Sequence, residues 1–187
     1  MSETNQLVLN TNKTHIVKFT SSKALIYPLN IIYVDQTLAI AETIKFLDLH
    51  WDSHLSWKSH INVLLKKLSS VCFMMRNVSY ILNTDTLKIA YFAHFQSLIN
   101  YDIMFWGSLT TMCNVFLIQK RIIRIRLGLG PRSSCQGMFK KLDILRVPYL
   151  FIFAVKKFVV RKPDHFKTIS SVHNIDMRQQ ISYIYHQ

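Results

Sequence analysis

The sequence predicts an α+β fold, a small antiparallel β-sheet followed by a mainly helical bundle. Three observations predict it. Apolar and polar residues alternate in short runs before residue 54, which is the strand period. After residue 55 apolar residues recur every three or four positions over much longer stretches, which is the helix period. Half of the 187 residues are hydrophobic, enough to exclude a disordered chain. A chain of this length makes one domain or a domain and a half and buries roughly 70% of its unfolded surface.

Residues 13–20 read as a strand, with His15, Val17 and Phe19 on one side and Thr14, Ile16 and Lys18 on the other. Residues 29–34 form a second strand, and 37–41 return from it through Asp35-Gln36. Residues 44–51 read as a further strand. Such a sheet needs a covering element. Ser56 is an N-cap type, and Trp57, Ile61, Leu64, Leu65, Leu68, Cys72 and Met75 follow at helical spacing to about residue 82. The stretch 87–106, LKIAYFAHFQSLINYDIMFW, is apolar on nearly every side. It is expected to be the central helix, covered on several faces, with Asn83 and Thr84 as caps and Gly107 at its end. Its interrupting polar residues make it a poor membrane span.

Residues 112–127 form the third long helix. Val115, Ile118, Ile122 and Ile125 line one face; Lys120, Arg121 and Arg124 lie opposite. Gly128, Gly130 and Pro131 stop it. A short helix is expected over 136–142. A last helix runs over 149–162 with Pro148 at its start and Pro163 after it. Residues 164–187 show no period. The expected organisation is therefore a sheet over 1–54, a helical bundle over 55–162 and a loosely structured tail over 163–187.

Net charge is +13, and between residues 103 and 163 twelve Lys or Arg stand against one acid, Asp143. A surface that basic repels itself unless a polyanion neutralises it. Nucleic acid is the first candidate and an anionic membrane face the second. Cys72, Cys113 and Cys135 are isolated and odd in number, which fits a reducing compartment rather than a disulfide framework. The first ten residues lack a signal peptide's pattern. The expected location is intracellular, nuclear or cytoplasmic, and not secreted.

Several stretches carry a resemblance when taken in order. They are Asn10-Thr11-Asn12-Lys13-Thr14 with Ile16-Val17-Lys18-Phe19; Lys45-Phe46-Leu47-Asp48-Leu49 with Asp52, Leu55, Ser56 and Trp57; Phe95 and Ser97 with Tyr101 and Trp106-Gly107; Gln119-Lys120-Arg121-Ile122-Ile123-Arg124; Leu142, Ile144 and Leu145 with Pro148; and His173-Asn174. Over about residues 10–178 the chain resembles the C-terminal part of reverse transcriptases from non-LTR retrotransposons of the jockey type. The resemblance implies that the sheet is the end of the palm, including the primer-gripping hairpin, and that the helices are the thumb and the segment after it. It places the polymerase active site upstream of this chain. The family usually has glycine where this chain has Asp48 and Asp102. Those departures, with the truncated start that the resemblance implies, point to a partial or decayed copy.

Polymerase chemistry needs two metal ions held by carboxylates, and no Asp-Asp pair occurs in the sequence. This chain alone is therefore expected to be inactive, with no catalytic residue, metal ligand or cofactor of its own; Mg2+ belongs to the intact parent enzyme. Asp35 reads as a turn residue. His50, Asp52, His54 and His60 lie close in sequence, but no helix fixes them as a metal site, and surface or capping roles are favoured. Binding remains. Lys58, Lys66 and Lys67 on the first helix and Lys120, Arg121 and Arg124 on the third are the expected phosphate contacts to a template–primer duplex. Trp57, Phe95, Tyr101 and Trp106 are expected in the core rather than stacked on bases. The missing fingers and palm of the parent polymerase are the other expected partner. The alternatives are a basic helical protein that binds an anionic membrane surface or a partner protein, and a decayed copy without activity.

Overall fold

The computed structural model describes residues 9–20, 30–33, 36–107, 112–168 and 183–184. The chain divides into two compact units, Met1–Lys66 and Lys67–Gln187. Among the described residues it has short two-stranded ladders and a helical part, an α+β fold.

In the first unit the strand expected over 13–20 is reduced to β1 (His15–Ile16). The Asn10 side chain accepts the Lys13 N–H at 3.3 Å, and Thr11–Lys13 form a 3-10 turn. A side chain that bonds its own backbone competes with a sheet ladder. Strand β2 (Ile32–Tyr33) pairs antiparallel with β3 (Gln36–Thr37). Asp35, the expected turn residue, lies outside the described residues, as do the ends of the strand expected over 29–34. The next strand, β4 (Ala39–Ile40), pairs with β1 in parallel. The expected single sheet is thus a set of separate ladders.

The longest ladder corrects a second expectation. Residues 44–51 do not make one strand. They fold into a hairpin, β5 (Thr43–Phe46) and β6 (Leu49–Asp52), with Phe46 opposite Leu49. The two turn residues, Leu47 and Asp48, have φ of 48° and 63°, and two successive positive φ values mark the type I′ turn that matches strand twist. Asp48 is therefore a turn residue. Asp visits the left-handed region more easily than most, and its carboxylate meets Lys45 Nζ at 2.7 Å.

Trp51 is the centre of this unit's aromatic packing. It lies 6.4 Å from Phe19 and 5.0 Å from Trp57, centroid to centroid. Helix α1 (Lys58–Val78) starts here. The Ser56 hydroxyl lies 3.5 Å from the Lys58 N–H, and Asp52 does more of the capping. Its carboxylate accepts the Ser56 N–H and Trp57 N–H at 2.8 and 2.9 Å and the Ser56 hydroxyl at 3.1 Å. Asp52 thus joins the hairpin to the helix entry.

In the second unit the stretch 87–106 is not one α-helix. Helix α2 (Thr84–Ala90) leads into a π-helical turn, Tyr91–Gln96, then α3 (Ser97–Asn100), a break, and α4 (Ile103–Trp106). Asn83 caps the start by accepting the Thr86 N–H. The buried residues explain the π turn: Leu87, Tyr91, Phe95, Ile99 and Ile103 recur every fourth position. In a regular α-helix four residues overshoot a full turn by about 40°, so such a stripe drifts off the core. The wider turn, closed by the Ser97 N–H on the Phe92 carbonyl, takes up the overshoot.

Burial follows that stripe, joined by Trp106 beyond the break, and is not all round: Ile89 is 69% exposed and Phe105 50%. At the break Tyr101 is extended and Asp102 has φ 51°. The indole N–H of Trp106 donates to the Tyr101 carbonyl at 3.3 Å. Gly107 follows in right-handed helical geometry. A Cβ there would sit 2.5 Å from the Ile103 carbonyl and 2.6 Å from the Phe151 ring.

Helix α5 (Met112–Arg126) buries Val115, Ile118, Ile122 and Ile123, together with Gln119 and Arg126. Then come α6 (Met138–Lys141) and α7 (Val147–Arg161), with Pro148 in the first turn of α7. Gln119, fully buried, ties the bundle together. It donates to the Tyr91 hydroxyl at 3.0 Å and to the Leu145 carbonyl at 2.9 Å, and accepts the Val147 N–H at 3.0 Å. In the region expected to be a tail, β7 (Lys167–Thr168) pairs with β8 (Tyr183–Ile184).

Candidate nucleic-acid interface

Six cations of the second unit lie on the two sides of α5. The helix ends in a Schellman motif: the Gly128 N–H bonds the Ile125 carbonyl at 3.1 Å and the Leu129 N–H bonds the Arg124 carbonyl at 2.9 Å. Gly128 has φ 63°, which this motif needs and glycine supplies at little cost. The chain then turns back over the helix. Arg124 Nε donates to the Ser133 carbonyl at 2.8 Å, and Cys135 Sγ lies 3.7 Å from the Lys120 carbonyl. These contacts hold the loop 130–136 against α5.

Two clefts result. The first, about 670 Å³, lies between the end of α1 and α5 and is lined by Arg76, Arg121 and Arg124 with Tyr80 and Leu117. Tyr80 is 86% exposed. The second, about 470 Å³, lies between α5, the loop and the start of α7. Lys120, Arg124, Arg132 and Arg146 line it, with the rings of Phe116 and Phe139 and the hydroxyls of Ser133 and Ser134. Arg124 belongs to both clefts.

Among the described residues no carboxylate lines either cleft. Two of the cations are placed by rings instead. Lys120 Nζ sits 4.4 Å over Phe116, and Arg146 lies 5.5 Å over Phe139 and 6.0 Å over Tyr149. A ring face orients a cation through its quadrupole without cancelling the charge. The charges stay available to an incoming anion.

Of the residues expected from sequence to meet phosphate, Lys120, Arg121 and Arg124 converge on these clefts. Lys67 is exposed and lies outside their linings. Lys58 and Lys66 are exposed and belong to the first unit. Arg76, Arg132 and Arg146 were not singled out by sequence reasoning. The basic run over 103–163 pointed towards the last two. Arg76 lies in the last turn of α1, where a cation also suits the helix dipole, so nothing set it apart.

Trp57, Phe95 and Trp106 are core residues as expected. Tyr101 departs from that expectation: it is 45% exposed, because the helix breaks at it. In the histidine-rich segment Asp52 is engaged with backbone N–H groups, and His54 Nδ1 lies 3.1 Å from the Thr20 carbonyl. Burial alone would raise the Asp52 carboxyl. The bonds from Ser56, Trp57 and His54 outweigh it and hold the carboxyl below its ordinary value. Among the described residues no three His, Cys, Asp or Glu side chains gather as metal ligands. Burial pushes the Cys72 thiol up to about 11, which leaves it protonated and a poor nucleophile near neutral pH.

No protein-family model, curated protein or solved structure matches this chain.

Proposed function

We propose that this chain binds nucleic acid through phosphate contacts, as the palm end and thumb of a reverse transcriptase of the non-LTR retrotransposon kind. The observation that carries the binding is the pair of clefts beside α5, where six cations converge and, among the described residues, no carboxylate lines the walls. Lys and Arg in such an arrangement neutralise phosphates and give affinity without sequence choice. The kinship is supported by backbone geometry at two positions. Asp48 and Asp102, where the resembling family has glycine, both have positive φ, the conformation for which glycine is the default residue. The proposed role is binding rather than catalysis.

Fluorescence anisotropy with a labelled duplex over a salt series tests the reading. Affinity should fall steeply with salt. Arg76→Ala with Arg121→Ala removes two contacts and should flatten the log–log slope by about 1.8, at about 0.9 per phosphate on B-DNA. Salt-independent binding, or a slope unmoved by the double change, refutes it. Template-dependent primer extension by this chain alone would refute the binding-only role.

A second reading has its own observation. Helix α7 exposes Tyr149, Ile152, Phe153 and Val160 beside the exposed Lys156, Lys157 and Arg161. Apolar and basic side chains together suit an anionic membrane surface. No described helix is long and apolar enough to cross a membrane, so this reading concerns a surface contact. Sedimentation with anionic vesicles in the absence of nucleic acid tests it; protein left in the supernatant counts against it.

A further inference from the structure

The two clefts differ in a way that assigns them different phosphates. The first is a groove with two arginines, a shared third and an exposed tyrosine, suited to a strand passing through. The second gathers four cations in a smaller space, walled by Phe116 and Phe139, whose centroids are 6.0 Å apart. Lys120 and Arg146 stand over those rings. Arg124 uses Nε on the Ser133 carbonyl, which leaves its two terminal amino groups for a ligand. Arg132 is exposed at the rim, and the side chains of Ser133 and Ser134 add hydroxyl donors.

A phosphodiester carries one negative charge and would answer one of these four cations. A phosphomonoester carries about 1.5 to 2, and a chain of phosphates carries more. Arginine forks and hydroxyl groups suit the several terminal oxygens of such a group. We infer that the second cleft is a site for a terminal phosphate or oligophosphate, and not a further contact to an internal phosphodiester. The inference deepens the nucleic-acid reading and rests on it only for one of two ligand sources. Those sources are the 5′-phosphorylated end of a strand and a free nucleoside polyphosphate, which share this chemistry.

The experiment compares one labelled single-stranded oligonucleotide with a 5′-hydroxyl, a 5′-phosphate or a 5′-triphosphate end, by anisotropy at fixed ionic strength. Inorganic triphosphate and a nucleoside triphosphate serve as competitors. The expected result is at least tenfold tighter binding of the 5′-triphosphate end than of the 5′-hydroxyl end, with competition by inorganic triphosphate. Arg132→Ala should weaken binding of the 5′-triphosphate end several-fold more than that of the 5′-hydroxyl end, and so remove the preference. Arg132 is exposed at the rim, so this variant is expected to fold. Ser134→Ala provides a second variant with the same expected direction.

Equal affinity for all three ends, with binding otherwise intact, overturns the inference and leaves nucleic-acid binding standing. If no oligonucleotide binds, direct calorimetry with inorganic triphosphate decides. Binding that Arg132→Ala abolishes supports the site with a free polyphosphate as its ligand, against the nucleic-acid reading; no heat overturns both.

Discussion

Gln119 offers the sharpest test of how the second unit holds its cationic clefts. Its side chain bonds the carbonyl of Leu145 and the N–H of Val147, the residues on either side of Arg146, and also the Tyr91 hydroxyl. Gln119→Leu keeps a side chain of similar size and removes all three bonds. Val147 and Tyr91 are fully buried, so no water replaces the lost partner for either. Stranding a buried polar group costs about 1–3 kcal/mol. Leu145 is half exposed, and its carbonyl can turn to solvent. Two stranded groups, less the small apolar gain of leucine, come to about 3 kcal/mol, a large share of the roughly 5–15 kcal/mol that holds a domain folded.

Urea unfolding followed by circular dichroism measures the loss. Tyr91→Phe removes only one of the three bonds and should cost about 1 kcal/mol. The two changes together should cost less than their sum, because the residues share a bond. Arg146 would lose its fixed neighbours, so affinity for inorganic triphosphate should fall in Gln119→Leu even under conditions where the variant is folded. A loss under about 1 kcal/mol, well short of the penalty for even two stranded groups, would refute the account of Gln119 as the tie between α5, the π turn and the start of α7.

Asp102→Gly should raise stability by about 1 kcal/mol, since a residue with a Cβ is strained at its positive φ; a destabilising result in the same urea assay would refute this. Gly107→Ala should destabilise, by about 1–3 kcal/mol, because the new methyl overpacks against the Ile103 carbonyl and the Phe151 ring; an unchanged urea midpoint would show that α4 or α7 yields. Asp52→Ala should cost about 1–2 kcal/mol as a lost cap. Because the folded carboxyl titrates below its unfolded value, its contribution is complete above about pH 4 and fades as the pH falls through the folded value. An acid-unfolding curve of Asp52→Asn should lack that component, and an identical curve would contradict it. Thiol labelling of the native protein should modify exposed Cys113 first and buried Cys72 last; rapid labelling of Cys72 would contradict its burial.

The helical half is the more legible part of the sequence. The bounds expected for α5 and α7 lie close to those seen, because capping residues, Pro148 and the glycines after α5 act locally. The stretch 87–106 misleads for an instructive reason. Its apolar residues cover most of a helical wheel, and that hides which spacing faces the core. Only burial singles out every fourth residue. The hairpin at Leu47-Asp48 escapes notice because leucine is a poor signal for a type I′ turn, and alternation continues through it. At the candidate interface the charge on α5 is readable, but convergence is not. Arg76, Arg132 and Arg146 come from three other segments, and only the fold brings them to α5. Gln119 reads as one more polar residue beside Lys120, because periodicity does not reveal a buried amide whose three partners lie 26 or more residues away.

The π turn at Tyr91–Gln96 sets the phasing of the helix that comes after it. Losing a single amino acid between Tyr91 and Phe95 would restore an ordinary α-helix there and keep the later side chains of α3 in phase, since Ile99 would then stand eleven positions after Leu87, about 20° from its line. Leu87, Tyr91, Phe95 and Ile99 would still share the buried face. Deleting exposed Phe92, Ala93 or His94 should therefore be better tolerated than deleting one residue from the regular helices α1 or α5, and a deletion scan would reveal the wider turn as an insertion the helix can give up.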